Sequence, residues 1–420
     1  MKTVNESFYN LNEIQPAQER ENLLFKDINK KLDFICNNSE GWKQILSNCD
    51  ISQIKSRTDL KSLPITRKSN LTAIQNKSLP YGELTTKKYL DFPYMFASPG
   101  PIYEPGDNGD FWNMASSLYA AGLREGKKVY NTFSYHLGPA GIMLGNAASQ
   151  LGCPVIPGGI GNTDLQVETI RKLKPSFYIG TPSFLKIIME KIRNNNISIP
   201  SIKNALVGAE AFPKELRNYL NNSFGICPLQ MYGTAEVGCI AYETKDKKDK
   251  VNKGMIVEEN IILEIVRPGS LKPAVNGEVG EVIITKLNSN YPMLRLATGD
   301  LSAIIEEPSP CGRTNTRIVG WMGRAEQSTK VKGLFITPNQ LTKITEVFKE
   351  LFKVRLIIDR KEMVDIATLQ CESNVKDHQL EEKIKEFFKS EFKLNTQIQI
   401  IEKNKIPNDG IVIEDKRSNN

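Results

Sequence analysis

The sequence predicts an α/β protein in two parts. The expected large N-terminal domain, residues 1–322, is built from βαβ units with parallel sheets and carries a small β subdomain. A small α+β domain follows at 323–420. Three observations carry this expectation. Short apolar runs alternate with stretches of about ten residues at helical spacing between residues 91 and 243. Strand-like segments with no long helical pattern fill 255–320. The pattern then changes again beyond Arg324. A length of 420 residues accommodates two or three domains, and 40% hydrophobic with 25% charged residues is an ordinary globular balance.

Residues 1–90 read as mostly helical. Glu19 to Phe34 has apolar residues at helical spacing, and Arg57 to Asn76 is a second such region, punctuated by Pro64. The alternating core then runs in order. A helix is expected over Phe111 to Leu123, a strand over Lys128 to Thr132, a helix over Ala140 to Leu151 and a strand from Pro154. Helices over Asp164–Leu173, Ser183–Arg193 and Pro213–Leu220 are interleaved with strands at Phe177–Ile179, Ala205–Val207 and Leu229–Tyr232. This alternation means a parallel sheet covered on both faces. In the β subdomain, Ile261–Val266 and Glu278–Thr285 read as period-two strands. In the last part, Thr337-Pro338-Asn339-Gln340 resembles a capping-box start to a helix reaching about Leu351. Strands near 354–359, 364–370 and 396–402 and a helix near 375–390 follow.

Lys+Arg 55 against Asp+Glu 48 gives a net charge of +7, spread along the chain. Its densest stretch, Lys245 to Lys253, carries its own aspartates and reads as a solvated loop, so no nucleic-acid partner is expected. The seven cysteines form no C-x-x-C pair and fit reduced thiols in a cytoplasmic protein. The N-terminus shows no apolar signal core, and Gly138 to Gly161 is too interrupted by proline and glycine for a membrane helix. No P-loop, nucleophile elbow or H-E-x-x-H motif occurs. His136 and His378 are the only histidines, which excludes a histidine-rich metal site.

What remains is an ordered series of short segments. Phe96 to Pro105 (FASPGPIYEP) reads as a Ser/Gly/Pro loop after a strand. Gly208-Ala209-Glu210 follows one expected strand, and Tyr232-Gly233-Thr234-Ala235-Glu236 follows another. Thr298-Gly299-Asp300 ends the β subdomain. Gly323-Arg324 and Lys330-Val331-Lys332-Gly333 mark the domain boundary, and Pro407-Asn408-Asp409-Gly410 lies near the C-terminus. Singly each is weak: Gly-Ala-Glu is commonly a plain turn, and Asp300 or Glu236 alone could be a capping or ion-paired carboxylate.

In this order and spacing the segments resemble the adenylate-forming superfamily and, within it, the phenylacetate-CoA ligase family. Asp59-Leu60, Leu63-Pro64, Arg67-Lys68, Gly152 to Pro157 and Thr181-Pro182-Ser183 extend the resemblance over nearly the whole chain. It implies an AMP-forming acid–thiol ligase that uses ATP and Mg²⁺ to convert a carboxylic acid to acyl-AMP, then transfers the acyl group to CoA. It also implies that the small domain swings about a hinge at Gly323-Arg324. By the same resemblance, Ser98 and Gly100 contact phosphate, Gly208, Ala209 and Glu210 line the adenine pocket, and the Tyr232 ring stacks on adenine beside Gly233. Thr234 then bonds a phosphate, Glu236 holds the metal, Asp300 takes the ribose hydroxyls, and Arg324 and Lys332 reach the nucleotide from the hinge side. Tyr135, His136 and Ala235 become candidates to line the acid pocket, although His136 could equally be a core histidine.

Two departures separate this chain from the family pattern. Pro99 and Pro101 interrupt the phosphate loop and remove backbone donors, its lysine is missing, and Glu104 adds a negative charge. Ile411 follows Gly410 where the family carries a lysine that neutralises charge in the first step. Losing such a contact typically costs on the order of a hundredfold in rate. Three functions therefore stay open: a CoA ligase, an adenylating enzyme that loads a carrier protein, and a nucleotide- or acyl-AMP-binding homologue with weak or lost ligase activity. A homodimer is the default assembly, and no membrane partner is expected.

Overall fold

The computed structural model describes residues 7–417 apart from 100, 198–200, 247, 268–271, 326–328, 332–333, 337, 362–363, 376 and 408–410. Its central element is a nine-stranded sheet. From one edge, the strands Val155–Pro157, Val129–Asn131, Phe177–Gly180, Asn204–Val207 and Cys227–Thr234 run parallel. Gly238–Tyr242, Met255–Val257, Arg317–Ile318 and Ile304–Ile305 continue the sheet antiparallel. Every residue of Phe177–Gly180 is buried, as a strand covered by helices on both faces must be. Local chemistry places the helices. Thr181 caps the Pro182–Asn194 helix by accepting the Phe184 N–H at 3.3 Å, with proline in the first turn. Gly225, at φ 65°, ends the Lys214–Phe224 helix.

A second sheet takes strands in the order Thr66–Arg67, Met293–Ser302, Gly280–Lys286 and Ile261–Val266. The N-terminal helices share one apolar core with it through Leu32, Ile35, Trp42 and Leu60. The Trp42 indole N–H, buried in that core, donates to the Pro292 carbonyl at 3.1 Å. Arg295 forms a bidentate pair with Glu264 (2.9 and 3.0 Å) and also donates to the Lys61 and Leu63 carbonyls. Both charges are buried and their polar atoms are satisfied, the condition under which such a pair holds a core together.

Several sequence expectations need correction. The Glu19–Phe34 helix is two helices, Ala17–Phe25 and Ile28–Asn38, broken at Asp27 in the left-handed region (φ 55°). The break lets Ile28, Leu32 and Ile35 face the core, whereas the first helix buries only Arg20. The strands Ile261–Val266 and Gly280–Lys286 are buried at every position instead of alternating, because both faces are covered. Met255–Val257 joins the large sheet and not the β subdomain. Thr298-Gly299-Asp300, expected where the β subdomain ends, lies inside the Met293–Ser302 strand. Phe96 to Pro105 is no open loop but a hairpin pairing Tyr94–Ser98 with Ile102–Gly106.

The C-terminal residues form a four-stranded sheet in the order Gln397–Ile401, Val364–Ser373, Leu351–Lys361 and Ile413–Asp415. The helices Pro338–Val347 and His378–Phe392 cover it, and their shared core is drawn wholly from residues between Val331 and Ile413. The expected elements here are present, with an added hairpin of Thr329–Val331 and Leu334–Ile336. Thr337, expected as the helix cap, lies outside the described residues. Among the described residues no helix is long and apolar enough to cross a membrane.

Candidate active site

The parallel strands place their carboxyl ends along one edge, where ligands bind in open α/β sheets. Tyr232 to Thr234 finish the Cys227–Thr234 strand, and a tight turn of Ala235, Glu236 and Val237 returns the chain into Gly238–Tyr242. Three contacts fix that turn. Thr234 Oγ1 accepts the Val237 N–H at 3.3 Å, the buried Lys286 ammonium donates to the Val237 carbonyl at 2.7 Å, and Gly238 closes the turn at φ 85°. A Cβ on Gly238 would stand 2.2 Å from the Trp112 carbonyl oxygen. Gly238→Ala is therefore expected to destabilise the protein by about 2 kcal/mol or more and lower its midpoint in thermal unfolding. An unchanged midpoint would contradict this packing.

Two polar clusters meet around the turn. In the first, Asp300 accepts from the Tyr232 hydroxyl (2.8 Å) and the Trp321 indole N–H (3.0 Å), and pairs with Arg324 (3.2 Å). Arg324 also donates to the Thr298 carbonyl at 3.3 Å. Asp300 is 4% exposed and Tyr232 7%. Burial, then the charge of Asp300, pushes the Tyr232 hydroxyl well above its ordinary range, so it stays protonated and donates. The Tyr232 ring thus has little free surface, and its clearest work is to orient Asp300. Arg324, half-buried, ties the segment leading to the C-terminal part onto the same carboxylate.

The second cluster holds Glu236, whose buried carboxylate pairs with Lys68 at 2.8 and 3.1 Å. Glu104 lies close by, fully buried, accepting the Ser98 hydroxyl at 3.0 Å on one oxygen, while among the described residues the other has no hydrogen-bond partner. Burial first, then the charge of Glu236, pushes Glu104 up to about 8. The hairpin that carries both residues is held by Gln75. Its amide donates to the Tyr103 carbonyl at 2.7 Å and accepts the Tyr103 N–H at 2.9 Å.

Gly208, Ala209 and Glu210 lie on the neighbouring strand's exit, with Ala209 at φ 66°. Gly208 packs closely against the next strand: a Cβ there would lie 3.1 Å from the Met231 carbonyl oxygen. Glu210 accepts the Ser183 N–H at 2.7 Å, linking two strand exits. Further along the edge, the Tyr135 hydroxyl accepts from the buried Asn131 amide at 2.9 Å, and its ring covers Gly141. Burial pushes Tyr135 up to about 12. His136 is exposed, which excludes a core role. Gly233 is exposed and Ala235 half-buried beside Glu236. Gly100 and Lys332 lie outside the described residues. The pairing of Lys68 with Glu236, the Trp321 contact and the burial of Glu104 have no local signature in the sequence. Among the described residues no three His, Cys, Asp or Glu side chains are grouped to hold a metal.

Comparison with known proteins gives one answer. The AMP-binding enzyme family profile matches residues 113–289. The phenylacetate-coenzyme A ligase of Thermus thermophilus is 28% identical over 327 residues, 75% of this chain and 72% of that protein. The enzyme of that name from Pseudomonas putida is 29% identical over 306 residues, 70% and 67% of the two chains. Residues 113–289 thus match the AMP-binding enzyme family, and the chain is similar to phenylacetate-coenzyme A ligases over about three quarters of its length. Solved structures agree on the fold. An open conformation of 2-hydroxyisobutyryl-CoA ligase, in complex with 2-HIB-AMP and CoA, superposes with TM-score 0.85 at 18% identity, over 98% of this chain and 95% of that one. An anthranilate CoA ligase in complex with anthranoyl-AMP superposes with TM-score 0.53 at 16% identity, over 75% and 64% of the two chains. The shared fold matches the α/β architecture described above.

Proposed function

We propose that this chain is an ATP-dependent acyl-CoA ligase that forms acyl-AMP from a carboxylic acid and passes the acyl group to the CoA thiol. The observation that carries the reading is the convergence of Tyr232, Trp321 and Arg324 on one buried carboxylate, Asp300. Two carboxylate oxygens are well suited to two ribose hydroxyls, and Arg324 beside them can meet the α-phosphate. Gly208 to Glu210 would then border the adenine, and Tyr135 and His136 the acid. Phosphoryl and acyl chemistry of this kind depends mainly on positioning and charge neutralisation.

A hard divalent cation such as Mg²⁺ takes oxygen ligands, and the Glu236 carboxylate at the turn fits that chemistry. When bound, the ion would neutralise charge on the triphosphate. Lys68 holds the Glu236 carboxylate in place and supplies a cation near the phosphate end. Thr234, at the end of the strand leading into that turn, carries a hydroxyl that would bond a phosphate. The residues from Gly323 onward form the mobile part in this reading, with Gly323 at φ 123° as the swivel before Arg324. The acid remains a class, carboxylic acids of phenylacetate type, and the assembly in this reading is a homodimer.

The test is pyrophosphate release with Mg-ATP and a panel of aryl and fatty acids. Acid-dependent release that turns over with CoA is the expected result. Turnover with a phosphopantetheinylated carrier instead of CoA would redirect the second step. Ile411 favours a second reading, a nucleotide- or acyl-AMP-binding homologue with weak or lost ligase activity. That reading would be supported by AMP binding without release, and by a large rate gain in Ile411→Lys.

A further inference from the structure

We propose that Glu104 is a specificity-determining residue that occupies the phosphate-gripping hydroxyl of Ser98, so that only a nucleotide with a β,γ-phosphate tail displaces it. This rests on the ligase reading above. Ser98 and Ile102 face each other across the hairpin, and Phe96 faces Glu104. The Ser98 hydroxyl therefore turns back along the hairpin to Glu104, six residues on, and away from the loop tip. A second carboxylate does the same to the nearby cation, since Lys68 is held by Glu236. Ser98 and Lys68, two groups able to grip the outer phosphate oxygens, thus already bind carboxyl oxygens of similar geometry. Pro99 and Pro101 leave the tip short of backbone donors, so a triphosphate gains little unless these side chains are released.

The surroundings of Glu104 explain why the carboxyl stays put. Its other neighbours with ionisable groups are Glu236 and Lys68, together with Tyr81 and Tyr291, whose energetics it also affects. Among the described residues, the buried Tyr81 and Tyr291 hydroxyls and the second Glu104 oxygen have no hydrogen-bond partner. The Ser98 hydroxyl donates to Glu104, so breaking that contact removes one hydrogen bond from a buried acid and leaves it the Ser98 backbone N–H and the charge of Lys68. An incoming phosphate must offset this. AMP, held by the Asp300 cluster, need not touch it.

The test is calorimetric binding of AMP, ADP and ATP, with Mg²⁺, to wild type, E104M, E104Q and S98A. Methionine fills the space but accepts no Ser98 hydrogen bond, so E104M should raise ATP affinity about fivefold, the worth of one freed donor. AMP affinity should not change, and E104Q, whose amide oxygen still accepts from Ser98, should match wild type. Should E104M not fold, S98A decides. Exchanging one oxygen acceptor for another has little net value, so S98A should alter ATP affinity by less than about twofold. A fivefold or greater loss in S98A, or equal gains for ATP and AMP in E104M, would overturn the assignment. Failure of wild type to bind any of the three nucleotides would sink the ligase reading and this one together. Normal binding with an unchanged ATP-to-AMP ratio in E104M sinks only this one.

Discussion

Asp300→Asn should weaken AMP and ATP binding by on the order of a hundredfold or more while leaving the fold intact. The magnitude follows from the number of contacts at stake. Two ribose hydroxyls donating to a charged acceptor are worth roughly 1.5–3 kcal/mol each, and about 1.4 kcal/mol is tenfold in affinity. The amide adds a second penalty. Tyr232, Trp321 and Arg324 all present N–H or O–H donors to Asp300. An asparagine NH₂ group would set a donor against a donor on one side, and the loss of charge would release Arg324. Calorimetry with AMP measures the effect, and circular dichroism confirms that the sheet survives. Because AMP lacks the pyrophosphate, a loss for AMP as large as that for ATP places Asp300 at the nucleoside end. Retained AMP affinity would remove Asp300 from the binding site and with it the main support for the ligase reading.

The contrast between what was and was not legible in the sequence follows from contact range. The parallel strands and the helices between them are set by local periodicity and punctuation, and their positions matched within a few residues. The Phe96–Pro105 hairpin was not legible, since its prolines argue for a loop. It forms because Gln75 satisfies the outer edge at Tyr103, and Phe96 packs against Trp112 (ring centroids 6.0 Å apart). The Lys68–Glu236 pair joins residues 168 apart in the chain, and no local pattern encodes such a meeting. The burial of Glu104 is similar. An acid in a Gly/Pro segment reads as exposed until the covering elements are known. Asp300 was singled out from the Thr-Gly-Asp motif, but its placement inside a strand and its Trp321 partner come only from the tertiary structure.

Glu104 also dictates how stability should depend on pH. Its folded-state value of about 8 lies above the 4.5 of an ordinary glutamate. Between those two values the unfolded chain has released the proton that the folded chain still holds. The folded state binds more protons, so stability must fall as pH rises through this window. Below about 4.5 both states are protonated and the penalty vanishes; above about 8 both are ionised and it is at its largest. Each tenfold difference in proton affinity between the two states corresponds to about 1.4 kcal/mol, so the full effect is on the order of 5 kcal/mol, an upper figure if the hairpin relaxes around the charge. Glu258, buried beside Glu259 and raised in the same direction, adds to the slope. Glu104→Gln places a permanently neutral group of the same shape in the site. Its thermal midpoint should equal that of wild type near pH 5 and exceed it by several degrees near pH 8.5. Parallel midpoints across that range would mean that Glu104 is ionised in the folded protein. Its burial next to Glu236 would then have to be balanced by Lys68, which would be shared between two carboxylates instead of belonging to Glu236 alone.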